Sequence, residues 1–261
     1  MNGQHQTLLE VDKVDKHFDG LQALSEVSFS LHSGEIIALI GPNGAGKTTL
    51  LNLISGVYTP SQGEIFFAGR TISGLKPYQV AALGISRTFQ SVQVFQEMTA
   101  LENVLVGLHS RLHSGFLKGM LHWITERREE RRARAAALKT LTRLDIEHLA
   151  DRPANTLSLL EQRCLEIARS IVSAPRLLLL DEPVAGLNIR ETEEMAERIK
   201  ALSHQGLSVL LVEHDMNLVM SIAQRVIVLH HGVKIGDGTP EAVQADPTIQ
   251  KAYLGGQTHS V

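Results

Sequence analysis

The chain has 261 residues, 43% of them hydrophobic and 20% charged, and is therefore long and apolar enough to bury a full core. Its 25 basic and 28 acidic residues leave a net charge of −3, which argues against nucleic-acid binding as the main task because that task usually shows as a basic surplus. The single cysteine, Cys164, excludes an intrachain disulfide. No apolar run approaches the ~20 residues of a membrane span, and the first residues lack a secretory signal pattern. We expect a soluble, cytoplasmic protein unless a partner tethers it to a membrane.

The first 90 residues contain short strand-like runs separated by turn signals. Leu8 to Phe18 alternates partly between apolar and polar residues, and the segment 61–69 is typical of a strand flanked by glycines. The run Ile36 to Ile40 is apolar throughout, which indicates a strand buried on both faces, as in a parallel sheet. Residues from about Thr99 to Ala154 are mostly helical, and their charged stretch 126–134 indicates a solvated helix face.

The last third of the chain alternates strands and helices. Strands are predicted at 176–181, 207–213 and 225–229, and the helical stretches between them begin near Arg190 and Asp215. This repetition is typical of a parallel α/β sheet, and it predicts that the preceding helical segment is inserted as a subdomain.

A glycine-rich segment directly follows the apolar run Ile36 to Ile40. It reads Gly41-Pro42-Asn43-Gly44-Ala45-Gly46-Lys47-Thr48 and matches the phosphate-loop motif at every fixed position, with Thr49 opening a helical pattern. Glycines let the backbone approach phosphates closely, and successive N–H groups ahead of a helix attract the anion. Lys47 is expected to reach the β- and γ-phosphates and the Thr48 hydroxyl to ligate Mg²⁺. We therefore predict that residues 41–49 bind a nucleotide.

Two acids end the apolar strand 177–180. Neighbouring strand residues point in opposite directions, so Asp181 and Glu182 can take different roles. Asp181 is predicted to hold Mg²⁺ through a water, and Glu182 to polarise the water that attacks the γ-phosphate. Beside a phosphate loop, this pairing is a stronger interpretation than an acidic strand cap.

Further segments resemble the ABC-type ATPases over nearly the whole chain. Gln90 in Arg87-Thr88-Phe89-Gln90 resembles their Q-loop, 157–163 occupies the place of the LSGGQ signature, 185–188 resembles the D-loop, and His214 resembles the switch histidine. Phe18 resembles the aromatic that stacks on adenine, although core packing is an open alternative. The resemblance implies ATP and Mg²⁺ as cofactors. It implies that Gln90 and His214 join Glu182 in catalysis, that Gln90 also ligates Mg²⁺, and that Ser158 contacts a partner's nucleotide in trans.

The resemblance also implies the fold. It would be an α/β P-loop ABC ATPase: one domain over 1–261 with a RecA-like parallel sheet. An N-terminal antiparallel β subdomain and a helical subdomain at about 91–159 would complete it.

The segments 84–90, 97–104, 212–220 and 238–255 are most similar to the LivG-type ATPases of branched-chain amino-acid transport. This implies a second ATPase subunit, membrane permeases and, indirectly, a solute-binding protein as partners, with the chain peripheral on the inner face of the membrane. Urea uptake and lipopolysaccharide-export systems share much of this pattern and stay open. A non-transport ABC ATPase acting on DNA or the ribosome is less consistent with the charge and with the lack of long inserts.

One motif departs from the family. Leu159 and Leu160 stand where the signature has glycines, and we expect the Leu160 side chain to obstruct close approach to a γ-phosphate across a dimer. Ser158 and Glu161 still match a capping box for the following helix. A nucleotide-binding subunit that hydrolyses little ATP is therefore an alternative to a full ATPase.

Overall fold

The computed structural model describes residues 6–88, 94–108 and 123–254, without the side chains of 123–127 and 252–254. The strands are β1 (Thr7–Phe18), β2 (Leu21–His32), β3 (Ile36–Ile40), β4 (Gln62–Phe67), β5 (Arg70–Thr71), β6 (Ile85–Arg87), β7 (Leu177–Asp181), β8 (Ser208–Val212), β9 (Arg225–His230) and β10 (Val233–Gly238). The helices are α1 (Lys47–Ile54), α2 (Pro77–Leu83), α3 (Ala100–Val106), α4 (Trp123–Thr142), α5 (Leu159–Ile171), α6 (Ile189–His204), α7 (Met216–Ile222), α8 (Pro240–Ala245) and α9 (Pro247–Leu254). The strands predicted at 176–181, 207–213 and 225–229 correspond to β7, β8 and β9. Residues 109–122 of the predicted helical segment lie outside the described residues.

The chain divides into two compact units. The first comprises the described parts of Met1–Arg87, Arg176–Glu182 and Leu202–Val261, and the second those of Thr88–Pro175 and Pro183–Ala201. The first unit holds both β-sheets and the second is helical. The boundaries 91–159 of a helical subdomain stay a prediction.

The described strands of the first unit form two sheets. An antiparallel sheet has the order β2-β1-β4-β5, and a six-stranded sheet has the order β10-β9-β3-β8-β7-β6. In the larger sheet β9, β3, β8, β7 and β6 run parallel, while β10 pairs antiparallel with β9. The predicted α/β class with an added antiparallel sheet is confirmed.

Strand β3 shows why the larger sheet is buried on both faces. Ile37 and Leu39 belong to the core that includes the antiparallel sheet and α1. Ala38 and Ile40 face the other way, into a second core with Val219 of α7 and Val243 of α8. A strand covered on both faces needs apolar residues at every position, which explains the uninterrupted run.

Two helices of the helical unit, α3 and α5, begin with capping boxes. Thr99 accepts from the Glu102 N–H and Ser158 accepts from the Glu161 N–H, while each glutamate accepts from the backbone N–H of its capping residue. The capping box predicted for 158–161 is confirmed.

Cys164 of α5 is a free, buried cysteine. Within the described ranges, no helix combines the length and the apolar composition that a bilayer crossing requires.

Candidate functional site

The sequence-predicted residues of the first unit meet at one edge of the larger sheet. Gly41 follows β3, Glu182 follows β7 and His214 lies two residues after β8. Because β3, β8 and β7 are adjacent and parallel, their carboxyl ends share an edge. Open α/β sheets bind ligands in the crevice at this edge.

The phosphate loop has a backbone that glycine alone adopts easily. Gly44 and Gly46 have φ of 78° and 102°, in the left-handed region. An added Cβ at Gly46 would lie 2.6 Å from Leu24 Cδ2, so the loop passes close against β2 there. At Gly44 an added Cβ would meet nothing within 4 Å, so the loop is open to a ligand on that side. This cradle fits a phosphate group.

Lys47 is the first residue of α1 and folds back over the loop. Its Nζ donates to the carbonyl oxygens of Gly41 at 2.6 Å and Pro42 at 3.1 Å. Burial lowers the pKa of Lys47, and the carboxylates of Glu182 and Asp181 oppose this by raising it. The ammonium therefore experiences the charge of both acids while it is held by backbone carbonyls of the phosphate loop.

Asp181 is the last residue of β7, and its side chain is only 3% exposed. Its Oδ2 accepts from a terminal nitrogen of Arg87 on β6 at 3.1 Å. Carboxylate and hydroxyl oxygens are the ligands that Mg²⁺ prefers, and Asp181 together with the exposed Thr48 supplies both types. The donor set fits a magnesium ion. Arg87 is a residue that the sequence reasoning missed, although it stands three positions before Gln90.

Glu182 has the left-handed conformation, with φ of 50°. Its N–H donates to the Val212 carbonyl of β8 at 2.9 Å, which holds this backbone in place. A residue with a Cβ is disfavoured in this conformation by roughly 1–2 kcal/mol, and such strain clusters at functional sites. Glu182 thus leaves the strand conformation that ends at Asp181, and two different roles for the two acids stay a prediction.

His214 stands near Glu182 without a hydrogen bond to it. Its Nδ1 lies 3.7 Å from Glu182 Oε1 and 3.8 Å from Glu213 Oε2, and the ring is exposed. The fully buried Glu213 accepts from the backbone N–H groups of His214 and Asp215. Glu213, which the sequence reasoning did not single out, therefore shapes the loop that presents His214.

Phe18 is half-buried at the end of β1 and takes part in an aromatic cluster. Its ring centroid lies 5.1 Å from that of Tyr58, at an interplanar angle of 73°. Lys16 Nζ lies 4.8 Å from the Phe18 centroid and donates to the Thr59 carbonyl. These contacts hold the Phe18 ring in place without burying it fully. Stacking of this ring on a nucleotide base stays a prediction.

Ser158 is the N-cap of α5 in the helical unit, and the side chains after it differ in exposure. The Glu161 carboxylate accepts from the Ser158 N–H at 2.7 Å, which places a negative charge in the first turn. Leu159 is 38% exposed, whereas Leu160 is buried with 8% exposure. The Leu160 side chain therefore lies on the covered face of the helix, and its expected obstruction of a γ-phosphate across a dimer stays a prediction. Leu159 is the exposed leucine.

The D-loop segment 185–188 lies against the start of α5 within the same unit. Arg163 donates to the Ala185 carbonyl at 3.3 Å, and a Cβ at Gly186 would lie 3.1 Å from Leu159 Cδ2. Asn188 accepts from the Glu191 N–H at 3.0 Å and caps α6.

Gln90 lies outside the described residues.

Comparison with known proteins identifies the family of the chain. The ABC transporter family model matches residues 24–185. The chain is 44% identical to the high-affinity branched-chain amino acid transport ATP-binding protein BraF of Pseudomonas aeruginosa, covering 95% of this chain and 98% of that protein. It is 43% identical to the corresponding protein LivG of Escherichia coli, with 96% and 98% covered.

A crystal structure of an ATP-binding cassette of an ABC transporter, in its ADP conformation, is similar with a TM-score of 0.83 at 29% identity. That similarity covers 96% of this chain and 99% of the other. A nucleotide-free cassette gives a TM-score of 0.82, with 95% and 99% covered. The phosphate loop, the acids that follow β7 and these similarities lead to one conclusion: the chain belongs to the family of ABC transporter ATP-binding proteins, which are ATPases that power transport.

Proposed function

We propose that the chain binds and hydrolyses Mg-ATP to drive an ABC importer for branched-chain amino acids. The proposal that the solute is a branched-chain amino acid rests on the 43–44% identity, over nearly the full length, to BraF and LivG. None of the residues discussed here is proposed to touch the solute. The proposed partners are a second ATPase subunit and membrane permeases, with a solute-binding protein acting through them, and the chain would sit at the inner face of the membrane.

The phosphate-binding residues of the first unit support the ATP-binding step. The open backbone at Gly44 and the ammonium of Lys47 would hold the phosphates, and Phe18 would support the base. Thr48, Asp181 and Gln90 would hold Mg²⁺, which when bound neutralises phosphate charge. Asp181 and Thr48 present oxygen ligands, as the metal requires.

Glu182, which follows β7, and His214, which follows β8, support the hydrolytic step. Glu182 would accept a hydrogen bond from the attacking water and take up its proton, and its strained turn holds the carboxylate at the edge of the sheet. His214 lies 3.7 Å from Glu182 and would complete the site on the side of β8. The γ-phosphoryl group would pass to water, releasing ADP and inorganic phosphate.

A weakly hydrolysing subunit is a second candidate, favoured by the start of α5. The exposed Leu159 and the Glu161 carboxylate make this helix N-terminus a poor partner for a phosphate, since one adds bulk and the other adds like charge. If Ser158 serves a nucleotide held by the partner subunit, that nucleotide would be hydrolysed slowly. The site on this chain, with Lys47 and Glu182 intact, would be served by the partner's signature.

Transport in cells tests the solute and the ATPase together. The chain is expressed in bacteria that lack their own branched-chain ATPase subunit but retain its permeases, and uptake of labelled leucine, isoleucine, valine and urea is measured. We expect uptake of the three amino acids to be restored, and lost with Lys47→Ala. Lys200→Ala, which removes a half-buried lysine paired with the exposed Glu197, is the matched control and should leave uptake intact. Restored ATPase activity with uptake of urea alone would contradict the proposed solute.

A further inference from the structure

The Asp181 carboxylate lies beside a cation that belongs to the chain itself. A terminal nitrogen of Arg87 donates to Asp181 Oδ2 at 3.1 Å, and the two side chains are 18% and 3% exposed. A carboxylate this deeply buried is costly unless a positive charge or hydrogen bonds compensate it. Arg87 supplies both.

Arg87 is also anchored to the helix that follows the phosphate loop. Its other terminal nitrogen donates to Asn52 Oδ1 at 2.6 Å and to Ser55 Oγ at 3.3 Å, both on or directly after α1. Its Nε is buried and has no hydrogen-bond partner among the described residues. The guanidinium is thus held within reach of Asp181 by groups that do not depend on Asp181.

The same carboxylate is the proposed ligand of Mg²⁺, so two cations compete for it. When Mg²⁺ is held by the Asp181 carboxylate, the ion pair between Arg87 and Asp181 is weakened. Part of the stabilising free energy of that ion pair is then lost. By thermodynamic linkage, an ion pair that stabilises the empty site reduces the affinity for the metal by the same factor.

We propose that Arg87 is a positioning residue that holds the Asp181 carboxylate in the empty site and competes with Mg²⁺ for it. This inference rests on the proposed function, because it takes Mg-nucleotide as the ligand. Arg87 would hold the orientation of the buried carboxylate between turnovers, and would set how strongly nucleotide binding depends on Mg²⁺.

The test measures binding, with no turnover required. The dissociation constant of a fluorescent ATP analogue is determined for the purified chain in excess MgCl₂ and in EDTA, and the ratio of the EDTA value to the Mg²⁺ value is compared. Arg87→Gln keeps a polar side chain and removes the charge. We expect its ratio to exceed that of the wild type by about three- to tenfold, as expected for the net contribution of one typical intramolecular hydrogen bond.

Arg225→Gln is the matched control, because Arg225 forms a comparable half-buried ion pair with Asp237 at 2.6 Å outside the site. Its ratio should equal that of the wild type, which separates competition from general destabilisation. An unchanged or smaller ratio in Arg87→Gln overturns the inference. If that variant does not fold, Arg87→Lys replaces it: a smaller rise supports competition, and no rise overturns it. A wild-type chain that binds no nucleotide would instead refute the proposed function.

Discussion

Leu159 and Leu160 are adjacent, yet their replacement should affect the fold very differently. Leu160 is 8% exposed, so Leu160→Ala removes buried methyl groups and leaves a cavity, with an expected loss of about 2–5 kcal/mol in the free energy of unfolding. Leu159 is 38% exposed, so Leu159→Ala should cost about 1 kcal/mol or less. Both variants keep the Ser158–Glu161 capping box, because neither changes its members.

Urea unfolding of the purified chain, followed by far-ultraviolet circular dichroism, measures the difference. The midpoint for Leu160→Ala should lie clearly below that of the wild type, while the midpoint for Leu159→Ala stays near it. A midpoint for Leu159→Ala as low as that for Leu160→Ala would refute the assignment of the inward and outward faces of α5.

The same pair separates stability from function. If the start of α5 meets a nucleotide across a dimer, Leu159→Gly should raise the ATPase rate of the assembled transporter, because it removes the exposed side chain. Leu160→Gly should give no gain, because its side chain does not face outward. In a heterodimer, adding Lys47→Ala to this chain leaves only the partner's nucleotide to be hydrolysed. No gain from Leu159→Gly in that background would show that this leucine is not the obstruction.

Three further variants test the acids. Glu182→Gln should keep ATP binding and lower turnover by roughly 10²–10⁴-fold, with ATP-bound dimers accumulating in size-exclusion chromatography; retained turnover would move the role of base to another residue, His214 first. Glu161→Gln should keep the capping box and raise the ATPase rate of the assembled dimer, because it removes a negative charge from the N-terminus of α5; an unchanged rate would show that this charge does not face the phosphate. Burial raises the pKa of Asp237, but hydrogen bonds from Arg225 and Lys234 outweigh this and hold the pKa below its ordinary value. The interaction of Asp237 with these residues therefore stabilises the fold above about pH 4, and this contribution is lost as the pH falls through the folded-state pKa. Thermal unfolding should therefore show a steeper loss of wild-type Tm below about pH 4 than for Asp237→Asn, and parallel curves would contradict the pair's contribution.

Much of the fold and of the nucleotide site follows from short segments of the sequence. The phosphate loop is readable because its glycines, Lys47 and Thr48 act through local backbone geometry, and the run Ile36–Ile40 is readable because burial on both faces leaves no polar position. The capping box at Ser158 likewise depends on residues three apart. The loop and the capping box act through neighbouring residues, and the strand shows its burial in its composition, so short segments are enough to predict all three.

Other features were decided by the tertiary structure, because they depend on which strands lie side by side. Arg87 meets Asp181 only because β6 pairs in parallel with β7 in the larger sheet. Glu182 takes its left-handed turn with an N–H bond to Val212 of β8, a strand that follows it by a whole helix. The inward face of Leu160 depends on how α5 is covered, and a helix start alone does not specify which of two adjacent leucines is buried. Local sequence specifies backbone conformation and composition, while charge pairing and the exposed face depend on packing between segments far apart in the chain.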